Sequence, residues 1–318
     1  MEKALKSIKS CALTAAFIVA GLGLSACSTD AGPSAESESR HALEVVATTG
    51  YLGDAVNNIA PEADVTVLVG PGGDPHTQEL TTKDTEKINS ADLVVWTSHD
   101  MEHKMMDQLD KLGERQIPAA ETIPESDLLP WEEDGQIQGH DPHVWNSPDN
   151  WKYVVTAVGE KLAEIDPANA DTYKQNAEKY NQKIDDAKTE AGELLASIPK
   201  DRRILVTGHD AFNYLGATYD MEIFATDLVS SESEISAAEL DELADMIAKR
   251  KVPVIFQDNL KNPEAINHLK SAVEAKGGHV EVSDQPLFAD SLGEEAPVNT
   301  YLGVFTYNAR TIAEALGQ

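Results

Sequence analysis

From residue 43 onward the chain alternates short, largely apolar runs with longer amphipathic ones. The runs LEVVATT (43–49), DVTVLVG (64–70), ADLVVWT (91–97), RRILVTG (202–208), VPVIFQD (252–258) and HVEVSD (279–284) are rich in β-branched residues and bounded by turn formers, which predicts strands. Between them, Met101 to Leu112 and Ala237 to Lys251 carry helical periodicity, and the second is led by Ser236-Ala237-Ala238-Glu239, a capping box. Strand and helix in alternation predict an α/β fold with parallel sheets flanked by helices. From 149 to 198 the pattern changes. Tyr173, Ala177, Tyr180, Ile184, Ala187, Ala191 and Leu194 recur at steps of four and three, one apolar stripe on a long helix entered through a break at Asp166-Pro167. The expected organisation is an α/β lobe over 43–148, a long rigid linking helix over 149–198 and a second α/β lobe over 199–318.

The first 42 residues do not fit that alternation. Lys3, Lys6 and Lys9 form a basic head, Cys11 to Leu24 is apolar, and Leu24-Ser25-Ala26-Cys27 has the small-residue form of a lipoprotein cleavage site. The apolar run is short of the ~20 residues a membrane span needs. Residues 1–26 therefore read as an export signal, Cys27 as the residue that carries a lipid, and 27–42 as a polar, flexible tether. That predicts a protein anchored on the extracytoplasmic face of the cell membrane. Cys11 and Cys27 are the sequence's two cysteines, so the mature domain has no intrachain disulfide and relies on its core. With 55 Asp and Glu against 25 Lys and Arg, a net charge of -30, the surface repels nucleic acid and attracts cations.

Ligands of open α/β sheets bind beyond the carboxyl ends of the strands. Four polar residues fall there: His76 in GPGGDPHTQEL, His143 in GHDPHVW, His209 in LVTGHDAFNYL and Asp290 in PLFADSLG. If the lobes face one another, all four meet in the cleft. Three imidazoles and a carboxylate suit a borderline dication, zinc first and manganese next. Asp-Pro precedes His twice, and the proline stiffens the backbone that presents each ring. HDMEH (99–103) spaces two histidines as the zinc-protease motif does, but the glutamate that must follow the first is Asp100 here, and Glu102 stands out of register. His140 is either a helper that captures metal or a plain loop residue.

These motifs together resemble the zinc and manganese solute-binding lipoproteins of bacterial ABC transporters, from about Leu43 to the end. GGDPHTQEL is similar to the family's first histidine motif, DPHVWNSPDN to its second, GHDAFNYL to its third, SSESEISAAELDEL to its serine- and glutamate-rich segment, and LFADSLGEE to its aspartate motif. The resemblance implies that His76, His143, His209 and Asp290 are the metal ligands and that two α/β lobes are bridged by one long helix. It also implies that the chain is a monomeric binding protein, not an enzyme, which delivers metal to a permease and its ATPase. Histidine at the third position tilts the expectation toward zinc. Many zinc members carry a long His-rich loop before the second motif; here PWEEDGQIQGH is short and acidic, which keeps manganese open. The family often has Asn-Gly where this chain has Ser98-His99-Asp100. A surface-adhesion role is compatible with this reading and has no separate support in the residues. The rival class is a zinc hydrolase with three histidines, a water, and Asp290 or Glu102 as base.

Overall fold

The structure, a computed structural model, describes residues 42–133, 135–230, 234–260 and 263–317. Cys27, the export signal and the tether as far as His41 lie outside the described residues.

The first lobe is built on a four-stranded parallel sheet. In chain order its elements are β1 (Glu44–Thr49), α1 (Gly50–Ile59), β2 (Asp64–Val69), α2 (Thr82–Ser90), β3 (Leu93–Trp96), α3 (Met106–Leu109) and β4 (Gln116–Pro118), followed by an antiparallel hairpin of β5 (Pro130–Glu133) and β6 (Gln136–His140). The strand order is β2-β1-β3-β4, with Val46 opposite both Thr66 and Val94. β3, LVVW, is buried throughout, as a strand covered on both faces must be. β4 and the hairpin escape the sequence reading because they are short or water-facing: QIQGH has no apolar alternation, and Ile137 is 69% exposed. The helix expected over 101–112 is present only as α3 and a 3-10 turn, Asp110–Arg115, after it.

The segment over 149–198 is two helices, α4 (Pro148–Ile165) and α5 (Ala170–Ala196), separated at the anticipated Asp166-Pro167 break. Pro167 has no N–H to continue α4, and the Asp166 carbonyl instead accepts from Asn169 N–H at 3.1 Å. The buried stripe of α5 is the expected one except at its end, where Leu195 takes the place assigned to Leu194.

The second lobe follows with β7 (Ile204–His209), α6 (Asn213–Tyr219), β8 (Glu222–Asp227), α7 (Ala237–Arg250), β9 (Val254–Ile255), α8 (Pro263–Ala275), β10 (Glu281–Val282) and α9 (Tyr301–Leu316). β7 pairs in parallel with β8, β9 pairs in parallel with β10, and a parallel bridge from Thr207 to Phe256 joins the two ribbons. The capping box at Ser236 and Glu239 is formed at the start of α7.

Each sheet has its own satellite core, but the main core is shared. It runs from Tyr51 and Ile59 on α1 through Val154, Tyr180 and Ile184 on the two central helices to Phe305 and Ile312 on α9. α5 is also stitched to both lobes. Tyr180 donates to Asp54 and Asn176 to the Ile59 carbonyl on one side, while Glu190 pairs with Arg310 and the Lys188 carbonyl accepts from Tyr219 on the other. α4 and α5 approach closely at Gly159, where an added Cβ would lie 2.9 Å from the Ala177 Cβ. Gly159→Val is therefore expected to destabilise the fold by about 1–3 kcal/mol through overpacking. Urea unfolding reads this as a lower midpoint at unchanged slope.

Candidate metal centre

His76 follows β2, His143 follows the hairpin, His209 ends β7 and Asp290 follows β10, so every one leaves the carboxyl end of a strand or its loop. The structure brings all four together. One ligand atom from each lies within 4.8 Å of the others, and all four side chains are buried. His143 Nε2 stands 3.4 Å from His76 Nε2 and 3.1 Å from His209 Nε2. Asp290 Oδ2 is 3.0 Å from His209 Nε2 and 3.6 Å from His76 Nε2, and Oδ1 is 3.4 Å from His143 Nε2. A tetrahedron with metal–ligand bonds of about 2.0–2.1 Å has edges of about 3.3–3.4 Å. Five of the six separations, 3.0–3.6 Å, bracket that edge, and the four donors together fit within 4.8 Å.

Its unpaired atoms fit a cation as well. Both Asp290 oxygens and His209 Nδ1 are buried without a hydrogen-bond partner. Such atoms cost about 1–3 kcal/mol each unless something satisfies them, and for the two oxygens a metal at the common centre does so. Around the cluster the charge favours a cation: Asp210 and Asp258 add to the field of Asp290 at His209. Burial opposes a charge on His209, but Asp290 outweighs it and raises the imidazole to about 9. Burial likewise works against the Asp290 carboxylate, and the facing histidines override it, holding the carboxyl below its usual range. His76 goes the other way: burial is its leading influence and lowers it well below the ordinary imidazole value.

The two Asp-Pro-His segments have the same local device. Asp74 Oδ1 accepts from His76 N–H and Asp141 Oδ1 from His143 N–H, each at 2.9 Å. The aspartate thus folds the turn that the proline stiffens. Asp141 does more, for its Oδ1 also lies 2.7 Å from His143 Nδ1, which turns Nε2 toward the cluster. Asp141 is itself held by Asn213 at 3.1 Å, and its carbonyl accepts from Tyr214 at 2.9 Å. The Asp290 loop is fastened from several sides. The Ala289 carbonyl accepts from Tyr51 and from Trp145, each at 3.0 Å; Asn259 accepts from Ala289 N–H, and Ser291 Oγ accepts from Gly72 N–H. Of these supports only the repeated Asp before Pro-His leaves a trace in the sequence.

Glu102 cannot act as a base here. Its carboxylate is buried and accepts from the Thr48 hydroxyl at 2.6 Å, Thr97 N–H at 2.7 Å and Ser98 N–H at 3.0 Å. Those bonds fold residues 97–105 into turns, with Ser98, His99 and Asp100 all at positive φ, so His99 and His103 do not share a helix face. His103 faces outward and pairs with Asp100 at 2.9 Å.

Comparison with known proteins places this geometry. The profile of a family described as the zinc-uptake complex component A, periplasmic, matches residues 45–315. The chain is similar to a manganese-binding lipoprotein, MntA, of Bacillus subtilis, at 35% identity over 96% of this chain and 98% of that protein. It is also similar to the zinc-binding protein TroA of Treponema pallidum, at 38% identity over 86% of this chain and 89% of that one. The solved structure of that periplasmic protein superposes with a TM-score of 0.83, at 37% identity over 87% of this chain and all of the other.

Proposed function

Because this chain belongs to the periplasmic component A family of zinc-uptake complexes, the metal-binding receptors of ABC transporters, we propose that it carries zinc to a membrane permease on His76, His143, His209 and Asp290. Members of the family bind solutes and are not enzymes. The observation that carries the reading is the convergence of four buried donor atoms, from both lobes and the loop between them, at the spacing a single dication imposes.

Zinc is favoured over manganese by the donors themselves. Imidazole nitrogen suits zinc, manganese favours carboxylate, carbonyl and water oxygens, and in a mixed nitrogen and oxygen site zinc binds more tightly. The manganese reading draws its support from the short, acidic segment that stands where zinc members carry a His-rich loop, and from the name of the Bacillus relative. Four protein donors close a tetrahedral site and leave no position for a reacting water. Release to the permease then requires a shift of one lobe, and the shared core along α5 keeps that shift small. The permease, its ATPase and a lipid on Cys27 complete the proposed assembly, in which the receptor works as a monomer.

Metal analysis and competition test the choice of ion. The protein is expected to bind one tight equivalent of zinc and to exchange bound manganese for zinc at equimolar concentration. Retention of manganese under those conditions would overturn the zinc assignment.

A further inference from the structure

Outside the four-residue cluster, two more histidines face each other across chain segments that the sequence keeps far apart. His99 lies in the loop after β3, and His140 ends β6 of the hairpin. Their ring centroids are 5.2 Å apart at 67°, against 5.0–5.5 Å for the three ring pairs of the main cluster. His99 Nε2 and His140 Nδ1 are both shielded from solvent and have no hydrogen-bond partner. Two adjacent unpaired ring nitrogens are costly unless a bound group satisfies them.

The backbone of Ala120 lies against the His99 ring, and Nε2 is the ring atom left buried without a partner. The backbone spends conformational energy to hold this pose. Ser98, His99 and Asp100 sit at φ of 78°, 51° and 66°, three consecutive non-glycine residues in the left-handed region, fixed by the buried Glu102. Asp100, Trp131 and Gln138 share with the two histidines the wall of a 420 Å³ cavity, though the Asp100 carboxylate is taken up by His103 at 2.9 Å.

We propose that His99 and His140 form a second site for a borderline divalent cation, weaker than the main one, with water completing the coordination. Two imidazoles suit zinc among the available dications. The position matters because His140 lies three residues before His143.

Titration of the whole protein with zinc chloride, followed by calorimetry and by the histidine ring signals in NMR, tests the proposal. The unaltered protein is expected to take one tight equivalent and then a weaker one, with the His99 and His140 rings shifting only on the second. In the His99→Ala/His140→Ala variant the first equivalent stays as it was. The second weakens by more than the roughly 10–100-fold that losing an orienting partner alone costs. His140→Gln, which keeps bulk and polarity, gives the same loss should the double variant fold poorly. A second equivalent unchanged in these variants, or none in the unaltered protein, overturns the site. An Asp290→Ala variant separates the two claims, since it loses the tight equivalent and keeps the weak one.

Discussion

Replacing Asp290 by asparagine is expected to weaken zinc binding by between about a hundredfold and several thousandfold. The substitution keeps the shape and one oxygen but removes the single negative charge that sits within 3.6 Å of all three imidazole Nε2 atoms. A dication then enters a buried pocket with neutral donors only. Removing one partner of a buried charge pair costs about 3–5 kcal/mol, and each 1.4 kcal/mol is about tenfold in affinity. Competition against a chelator of known strength measures the loss. The asparagine variant carries an internal control, because Asp290 is the main force that raises His209 to about 9. Its imidazole is expected to titrate lower in the variant, which NMR of the ring protons reads directly. A loss below tenfold would mean that the carboxylate stands near the metal without binding it.

The parts of this site that could be read along the chain were those written in local chemistry. Asp-Pro-His occurs twice, and each proline marks a stiffened turn; His76 also follows strand-like sequence, whereas the hairpin before His143 carries no strand pattern. His209 and Asp290 were legible by position, one closing a β-branched run and the other beginning a turn. What stayed hidden depends on contacts between distant segments. Glu102 has the look of a helix residue, yet Thr48, 54 residues earlier, and the backbone of Thr97 and Ser98 capture its carboxylate and unwind the expected helix. Asp141 gives no sign of its hold on the His143 ring, because Asn213 and Tyr214, which brace it, come from the other lobe. The fold shows the same division. β1, β3 and β7 are largely buried and each carries a run of apolar, mostly β-branched residues, whereas β8 is half exposed and its EIFATD does not stand out from the loops beside it. The long apolar stripe on α5 was plain, but nothing along it distinguishes a helix that packs on one lobe from one that joins two.

Zinc affinity is expected to fall about tenfold for each pH unit below 9, so by roughly a hundredfold between pH 8 and pH 6. Metal must displace the proton that His209 holds up to about 9 while the site is without metal. His76 adds nothing in this window, since burial keeps it neutral until well below the usual imidazole value. The same proton acts in the opposite direction on the stability of the metal-free protein. The folded value of His209 is raised above its unfolded value of 6.5, so the stability it contributes is complete below that pH and disappears as pH rises through about 9. Asp290, held low in the folded state, contributes at neutral pH and loses its share only in acid. The metal-free melting temperature should therefore decline from pH 6.5 to 9, while the gap to the zinc-loaded protein widens as protons stop competing. Calorimetry near pH 7 in two buffers of different ionisation enthalpy should find about one proton released per zinc bound. An affinity that stays level from pH 6 to 8.5, with no proton released, would show that His209 is already neutral when the metal arrives and that Asp290 does not set its charge.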